Sequence, residues 1–245
     1  MINTSINLYG IFIILSLISN YLITFLLSKK YFFSKIEILM FLLFETIGIL
    51  IGALLLTIIK SYIYYKSLKI GLSSYGGLIG GFIFIIIYSV IFKKRLKVIL
   101  YLLMPSIPLM YGIGKIGCFL VGCCHGIVYN GLFSVKYSYS NVLEHNMSFF
   151  PIQILEAIVF ITIFIYYFIL NYKGKFNNKI LGKEIIICGS SKFLLDFLRF
   201  KETGAILSFN QIISLVFIFV GTIMIYLEHK EQVKKYKIIE NFNRR

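Results

Sequence analysis

The stretch Gly112–Gly126, with the sequence GIGKIGCFLVGCCHG, brings together the residues of this chain best suited to chemistry. It holds one lysine, one histidine, three cysteines and five glycines, and it follows an apolar run from Val98 to Met110. A cation at the edge of a bilayer is costly. Glycines at this density allow a ligand or another backbone to come close. The stretch therefore predicts a lipid-headgroup or catalytic site.

Three further segments carry polar groups that helix packing in a membrane does not require. They are Ser73–Gly81, Phe150–Glu156 and Lys192–Arg199. Lys192 and Asp196 lie four residues apart, so we expect them to pair on one helix face. All four segments fall near the outer half of the membrane in the topology given below, and this convergence predicts a single site.

The composition identifies the elements that must position these residues. Hydrophobic residues make up 59% of the 245-residue chain, charged residues make up 14%, and the mean hydropathy is +0.88. A soluble domain of this length cannot bury so much apolar surface. We therefore predict an all-α polytopic membrane protein with one integral membrane domain over residues 1–245 and about seven spans of about 20 residues each. The predicted spans are 7–28, 37–59, 75–92, 96–114, 150–171, 184–200 and 205–228.

Two of the predicted spans are unusual. The fourth contains Pro105 and Pro108 and runs into the glycine-rich stretch, so we expect a kink or a break there. Such a break is tolerated at membrane depth only where it is packed in protein or lines a wet cavity. The sixth is too polar to face lipid on all sides. We expect no cleavable signal peptide, because the first apolar stretch has no basic region before it.

The distribution of charge predicts the orientation. Most of the 25 lysines and arginines lie in alternate loops and in the C-terminal tail, about 229–245. The side richer in positive charge is the cytoplasmic one, which puts the N-terminus outside and the C-terminus inside. An arm at about 60–74 and a polar, aromatic segment at about 127–149 then lie outside. The net charge of +15 is spread over many loops, which favours anionic lipid and argues against nucleic acid.

Read together, the polar segments resemble the prolipoprotein diacylglyceryl transferase family over nearly the whole chain. The matching segments are, in chain order, Tyr9-Gly10, Gly52-Ala53, Tyr75–Leu78, Gly114–Gly126, Pro151–Glu156, Lys192–Arg199 and Gln211–Ser214. This chain carries a GxxGCFxxGCCxG variant of the family's main motif. Lysines stand at two family arginines, Tyr75 at a histidine, Cys118 at an asparagine and Cys123 at a glutamate.

The resemblance implies a function and a set of site residues. Members transfer a diacylglyceryl group from phosphatidylglycerol to the lipobox cysteine of prolipoproteins, so phosphatidylglycerol, prolipoprotein signal peptides and the lipid bilayer are the expected partners. The implied location is the bacterial cytoplasmic (inner) membrane, and no cofactor is expected. The implied catalytic residues are Tyr75, Lys115, Lys192 and Asp196. The implied substrate-binding residues are Tyr9, Gly76, Gly77, Gly114, Gly117, Cys118, Gly122, Cys123, Gly126, Gln153, Glu156 and Arg199.

Several alternatives remain open at this level. Lys115 could be a lysine that reaches to the interface, and Lys192 with Asp196 a purely structural pair. The cysteines could be small packing residues or form a disulfide on the outer side. The C-x4-C-C-H spacing lacks the paired arrangement of zinc sites, so we expect no metal. For the whole chain, the alternatives are an altered acyl or glyceryl transfer with a cysteine nucleophile, and a non-catalytic phospholipid-binding protein.

Overall fold

The computed structural model describes residues 2–31, 33–66, 68, 71–137, 147–200 and 207–243. These residues form eight α-helices and two short 3-10 turns, and they contain isolated β-bridges but no β-strand. The helices are α1 (Ile2–Ser28), α2 (Lys35–Tyr65), α3 (Ser74–Ile91), α4 (Leu96–Leu103), α5 (Ser106–Leu120), α6 (Ile152–Tyr172), α7 (Asn178–Leu195) and α8 (Phe209–Asn243). The predicted all-α architecture is confirmed.

Within the described residues, six helical stretches are long and apolar enough to cross a membrane, whereas about seven spans were predicted. They lie in α1, in α2, in α3, across α4 and α5 together, in α6 and in α8. The difference is the predicted sixth span, which is present as α7 but begins at Asn178 and ends at Leu195. The polar residues of α7 lower its mean hydropathy below that of a lipid-facing helix. Polar groups at membrane depth need partners inside the protein, so a helix of this composition must pack against other helices.

The break predicted in the fourth span is present between α4 and α5, at Met104 and Pro105. Proline supplies no backbone N–H and clashes with the preceding turn, so a helix kinks or breaks where proline falls in its interior. Directly after the break, the Ser106 hydroxyl donates a hydrogen bond of 2.6 Å to the Asn20 side chain. Asn20 in turn donates to Glu45 at 2.9 Å. These buried groups satisfy one another, as polar groups at membrane depth must.

The described residues divide into two compact units, one formed by 14–111 and one by 1–13 with 112–245. In the first unit α2 packs along α3 at very short range. A Cβ atom added at Gly76 would overlap the backbone oxygen of Gly52, and one added at Gly80 would overlap that of Gly48. Small residues four positions apart allow two membrane helices to approach this closely.

The second unit contains α6, α7 and α8, of which α7 and α8 pack along each other most extensively. Three loop segments meet beside them. The backbone N–H of Gly126 donates to the Phe150 carbonyl at 3.1 Å, and that of Ile127 donates to the Leu198 carbonyl at 3.0 Å. This ladder of hydrogen bonds holds together three of the four polar segments of the sequence.

The remaining predicted segments are covered only in part. Residues 67, 69 and 70 of the arm and residues 138–146 of the external segment lie outside the described residues. The tail is helical from its start to Asn243, because α8 continues without interruption beyond the apolar part. Residues 244 and 245 are outside the described residues.

Candidate active site

The centre of the site is a carboxylate on α6 that bridges lysines on two other helices. Lys115 Nζ on α5 lies 2.6 Å from Glu156 Oε2, and Lys192 Nζ on α7 lies 2.5 Å from Glu156 Oε1. Glu156 is 1% exposed, and both lysines are 6% exposed. Taking charges out of water is costly, and close pairing with good geometry offsets that cost. The bridge therefore fixes two ammonium groups on either side of one carboxylate.

A second carboxylate extends this arrangement toward the start of α8. Asp196 follows α7 directly, and its Oδ1 accepts a hydrogen bond of 3.2 Å from Lys192 Nζ. The pair predicted from the four-residue spacing is thus present. Oδ2 of Asp196 accepts a hydrogen bond from the Ser208 hydroxyl, and Asn210 Nδ2 reaches Oδ1 at 3.5 Å. Arg199 Nη1 lies 4.0 Å from the same Oδ1.

The five charged groups together carry an excess of positive charge, with three cations against two carboxylates. Two of the cations are almost fully buried. In a low-dielectric site such cations interact far more strongly with an added anion than they would in water. The arrangement is suited to a singly charged anion such as a phosphodiester.

The chain folds back sharply where α5 ends, beside Lys115. The N–H of Gly122 donates to the Phe119 carbonyl at 3.1 Å, and the N–H of Cys123 donates to the Cys118 carbonyl at 3.0 Å. Gly122 has a φ of +67°. This is the Schellman arrangement, in which a residue in the left-handed region caps the last carbonyls of a helix. It brings Cys123 back over Cys118.

A side-chain amide holds the chain reversal from Cys118 to Cys124 in place, and we call this reversal the cysteine turn. Gln153, fully buried on α6, donates from Nε2 to the Cys123 carbonyl at 2.8 Å. The Tyr137 hydroxyl donates to Gln153 Oε1 at 3.1 Å. Because Gln153 and Glu156 lie three residues apart on one face of α6, this helix positions both the cysteine turn and the two lysines.

The three thiols of the turn influence one another. Hydrogen bonds from Cys118 and Cys123 lower the pKa of the Cys124 thiol well below its usual range. Hydrogen bonds with Cys118 and Cys124 raise the pKa of the Cys123 thiol.

The model of the family described as prolipoprotein diacylglyceryl transferase matches residues 1–227. This chain belongs to that family. Its match to the family model includes all of the polar segments that meet in the site, and the family predicted from the sequence is confirmed.

Two relatives within the family are similar over long stretches. A phosphatidylglycerol–prolipoprotein diacylglyceryl transferase from Clostridium tetani (strain Massachusetts / E88) is 30% identical over 224 residues, which cover 87% of this chain and 89% of the relative. A phosphatidylglycerol–prolipoprotein diacylglyceryl transferase 2 from Clostridium perfringens (strain 13 / Type A) is 29% identical over 136 residues, which cover 55% of this chain and 53% of the relative.

The structure brings most of the site residues implied by the family resemblance into one compact unit. The charge cluster described above contains five of them, Lys115, Lys192, Asp196, Glu156 and Arg199. The cysteine turn contains Cys118, Gly122 and Cys123, and Gln153 donates a hydrogen bond to it from α6. A Cβ atom at Gly117 would lie 2.6 Å from Cβ of Phe12 and 3.5 Å from Cδ2 of Tyr9. Gly117 therefore gives α1 room to approach α5.

The two remaining glycines of the family motif differ in their surroundings. A Cβ atom at Gly114 would meet nothing within 4 Å, so this position is open. A Cβ atom at Gly126 would lie 2.5 Å from the Phe150 carbonyl oxygen. Gly126 therefore serves the backbone ladder that joins the motif to Phe150 and Arg199.

Tyr75, Gly76 and Gly77 belong to the other compact unit, at the first turn of α3. The Ser73 side chain caps this turn by accepting a hydrogen bond from the Gly76 N–H at 3.4 Å. Gly76 and Gly77 both pack against α2. The contacts of these two glycines are those of helix packing. The catalytic role that the family resemblance implies for Tyr75 stays a prediction.

Sequence reasoning missed Ser208 and Asn210 as members of the site. Ser208 caps α8 by accepting from the Gln211 N–H at 3.1 Å, and its own N–H donates to Gln211 Oε1 at 2.8 Å. The Ser-x-x-Gln spacing is the sequence pattern of a capping box and could have identified Ser208. No sequence signal indicated that its hydroxyl would also bind Asp196.

Proposed function

We propose that this chain transfers a diacylglyceryl group from phosphatidylglycerol to the cysteine thiol of a prolipoprotein. The thiol sulfur attacks a glyceryl carbon and forms a carbon–sulfur bond. The carbon–oxygen bond to the phosphate breaks, and glycerol phosphate leaves with the electron pair. Membership of the family and the similarity to two phosphatidylglycerol–prolipoprotein diacylglyceryl transferases support this activity for the chain.

The observation that carries the proposal is the buried bridge of Lys115, Glu156 and Lys192. Phosphatidylglycerol has one negative charge on its phosphodiester, and a second develops as the glycerol phosphate leaves. Fixed ammonium groups stabilise the transition state more than the bound lipid, because the added charge appears only as the bond breaks. In this proposal Lys115 and Lys192 hold the phosphate, while Glu156 and Asp196 position the two lysines.

The remaining roles follow the family resemblance. Tyr75 is proposed to act on the thiol or the headgroup, and Tyr9 with the open position at Gly114 is proposed to line the substrate path. Arg199, which is partly exposed, adds a third cation on the side of Asp196. Lysine keeps the charge of the family arginine but binds phosphate through one point and not through a fork.

We place the enzyme in the bacterial cytoplasmic (inner) membrane, with the site toward the outer leaflet, where a secreted precursor meets it. This orientation rests on the excess of positive charge in alternate loops and takes α7 as a seventh crossing. Signal peptides of prolipoproteins and phosphatidylglycerol would then reach the site from the same bilayer.

A transfer assay with purified protein tests the proposal. The protein in detergent is mixed with phosphatidylglycerol and a lipobox peptide, and the mass of the peptide is followed. We expect a gain of one diacylglyceryl group that is lost in Lys192→Ala. Lys183→Ala, which removes an exposed lysine from the same helix, is the matched control and should leave the rate unchanged. Transfer that survives Lys192→Ala contradicts the proposed phosphate site.

A further inference from the structure

Three of the four cysteines of the chain converge at the end of α5. The sulfur atoms of Cys118, Cys123 and Cys124 all lie within 4.8 Å of one another. The turn at Gly122 produces this convergence by reversing the chain, and Cys124 itself adopts a φ of +58°, which non-glycine residues rarely adopt. The backbone therefore holds an uncommon conformation at the residue that completes the sulfur cluster.

We propose that Cys118, Cys123 and Cys124 form a binding site for a thiophilic metal ion, with Zn²⁺ as the expected metal. Zinc binds thiolates at about 2.3 Å, so sulfurs around one zinc lie roughly 3.8 Å apart, within the spacing observed here. Each thiol releases its proton when the metal binds. The C-x4-C-C spacing by itself argued against a metal, and the folded turn is what changes that expectation.

Side-chain hydrogen bonds hold the backbone that carries the sulfur cluster. Ligands of metal ions are usually held by a second layer of hydrogen bonds. Here Gln153 donates to the Cys123 carbonyl at 2.8 Å, and Tyr137 donates to Gln153 at 3.1 Å. Zinc with three thiolates carries one net negative charge, and Lys115 and Arg199 are near enough to Cys124 to interact with it electrostatically.

The cluster offers three ligands where zinc usually takes four. Among the described residues, the group of possible ligand atoms consists of the three sulfurs, with no histidine nitrogen or carboxylate oxygen in it. The ring of the next residue, His125, stacks on Phe149 with ring centroids 4.4 Å apart. Zinc sites with three protein ligands keep an open position for water or substrate.

We infer that this fourth position binds the substrate thiol, an inference that rests on the proposed function. On binding zinc the thiol gives up its proton to solvent and becomes a thiolate nucleophile. Its lone pair then forms the carbon–sulfur bond, while the carbon–oxygen pair leaves with the phosphate, which takes up one proton. The step is redox-neutral. The product is a thioether, which is a weaker ligand than a thiolate and can leave the metal.

Metal binding is tested first on the unchanged protein. Purified protein is loaded with Zn²⁺, freed of excess metal and treated with a maleimide, and the labelled cysteines are identified by mass spectrometry. We expect one zinc per chain and protection of three thiols, with Cys188 on α7 giving the same labelling with and without zinc. Absence of bound zinc, or equal labelling of the three clustered thiols with and without it, overturns the site.

Variants then assign the ligands. Cys188→Ser is the matched control and should keep one zinc per chain, whereas Cys118→Ser, Cys123→Ser and Cys124→Ser should each lose most of the bound metal. Equal zinc content in the triple variant and the wild type would also overturn the proposal.

The open position is tested with Co²⁺ in place of zinc, since cobalt–thiolate absorption reports each added sulfur. A lipobox peptide should increase this absorption, and the same peptide with serine in place of its cysteine should not. An unchanged spectrum with both peptides overturns the substrate-thiol role while leaving the metal site intact. Stoichiometric zinc in a protein that never transfers the lipid contradicts the proposed function and not the metal site. Full transfer by protein stripped of metal contradicts the substrate-thiol role alone.

Discussion

The ammonium group of Lys115 lies 2.6 Å from Oε2 of Glu156, and both side chains are almost fully buried. Lys115 comes from the motif at the end of α5 and Glu156 from the first turns of α6. The contact joins two sequence motifs through a charge pair that water cannot screen. A residue that only reached toward the membrane surface would not be held in this way, so the snorkelling alternative for Lys115 is not supported.

Replacement of Lys115 tests its electrostatic role in transfer. We expect Lys115→Ala to lower the rate of diacylglyceryl transfer by roughly 10²- to 10³-fold, as removal of a charge-stabilising donor does in other enzymes. Lys115→Arg keeps the charge and should retain far more activity. The assay follows the peptide mass under saturating phosphatidylglycerol. Equal losses in the alanine and arginine variants would show that size, and not charge, matters at this position.

Loss of the bridging carboxylate should destabilise the protein. Glu156→Gln leaves two buried ammonium groups close together without their shared counter-ion. Removing one partner of a buried ion pair costs about 3–5 kcal/mol, so we expect a clear fall in the midpoint of thermal unfolding in detergent. Glu231→Gln, at an exposed position on α8, is the control and should not change the midpoint. An unchanged midpoint for Glu156→Gln would mean that the lysines find other partners.

The close approach of α2 and α3 should not tolerate a single added carbon. Gly76→Ala places a Cβ atom against the Gly52 carbonyl, and overpacking of this kind costs about 1–3 kcal/mol. Gly10→Ala makes the same chemical change on α1, where a Cβ atom meets nothing within 4 Å. We expect only the first variant to lower the unfolding midpoint. Equal stability of the two variants would show that the helices can separate without cost.

Glu184 on α7 offers the opposite test, because its replacement should raise the stability of the folded protein. It is fully buried, and neither carboxylate oxygen has a hydrogen-bond partner among the described residues. A buried polar group without a partner costs about 1–3 kcal/mol. We therefore expect Glu184→Met, which is apolar and of similar size, to raise the unfolding midpoint. A lower midpoint would reveal a stabilising role of the carboxylate, and the transfer assay on the same variant would show whether activity depends on it.

Much of the fold could be predicted from the sequence, because membrane physics leaves few alternatives. Apolar runs of about 20 residues must be helical where they cross the bilayer, since every backbone polar group there needs an internal partner. Pro105 likewise favours a break, because proline in a helix interior removes a backbone hydrogen bond and clashes with the preceding turn. The exception was α7, a helix whose polar residues separate it by composition from the six apolar stretches and whose bounds, Asn178–Leu195, lie several residues before the predicted 184–200.

For the candidate site, the order and spacing of the motifs were enough to indicate the family and to name Lys115, Lys192, Asp196, Glu156 and Gln153. Local spacing also predicted the pairing of Lys192 with Asp196, because residues four apart on a helix share a face. These conclusions need no knowledge of how distant segments meet.

Only the tertiary structure decided which partner each group takes. Glu156 and Lys192 are 36 residues apart in sequence, and no local pattern specifies that one carboxylate bridges two lysines from different helices. The capping hydroxyl of Ser208 binds Asp196, and the turn at Gly122 gathers three sulfurs whose spacing along the chain gave no metal pattern. These cases have one physical reason. Helical periodicity determines which residues share a face, whereas helix packing and chain reversal determine which faces meet.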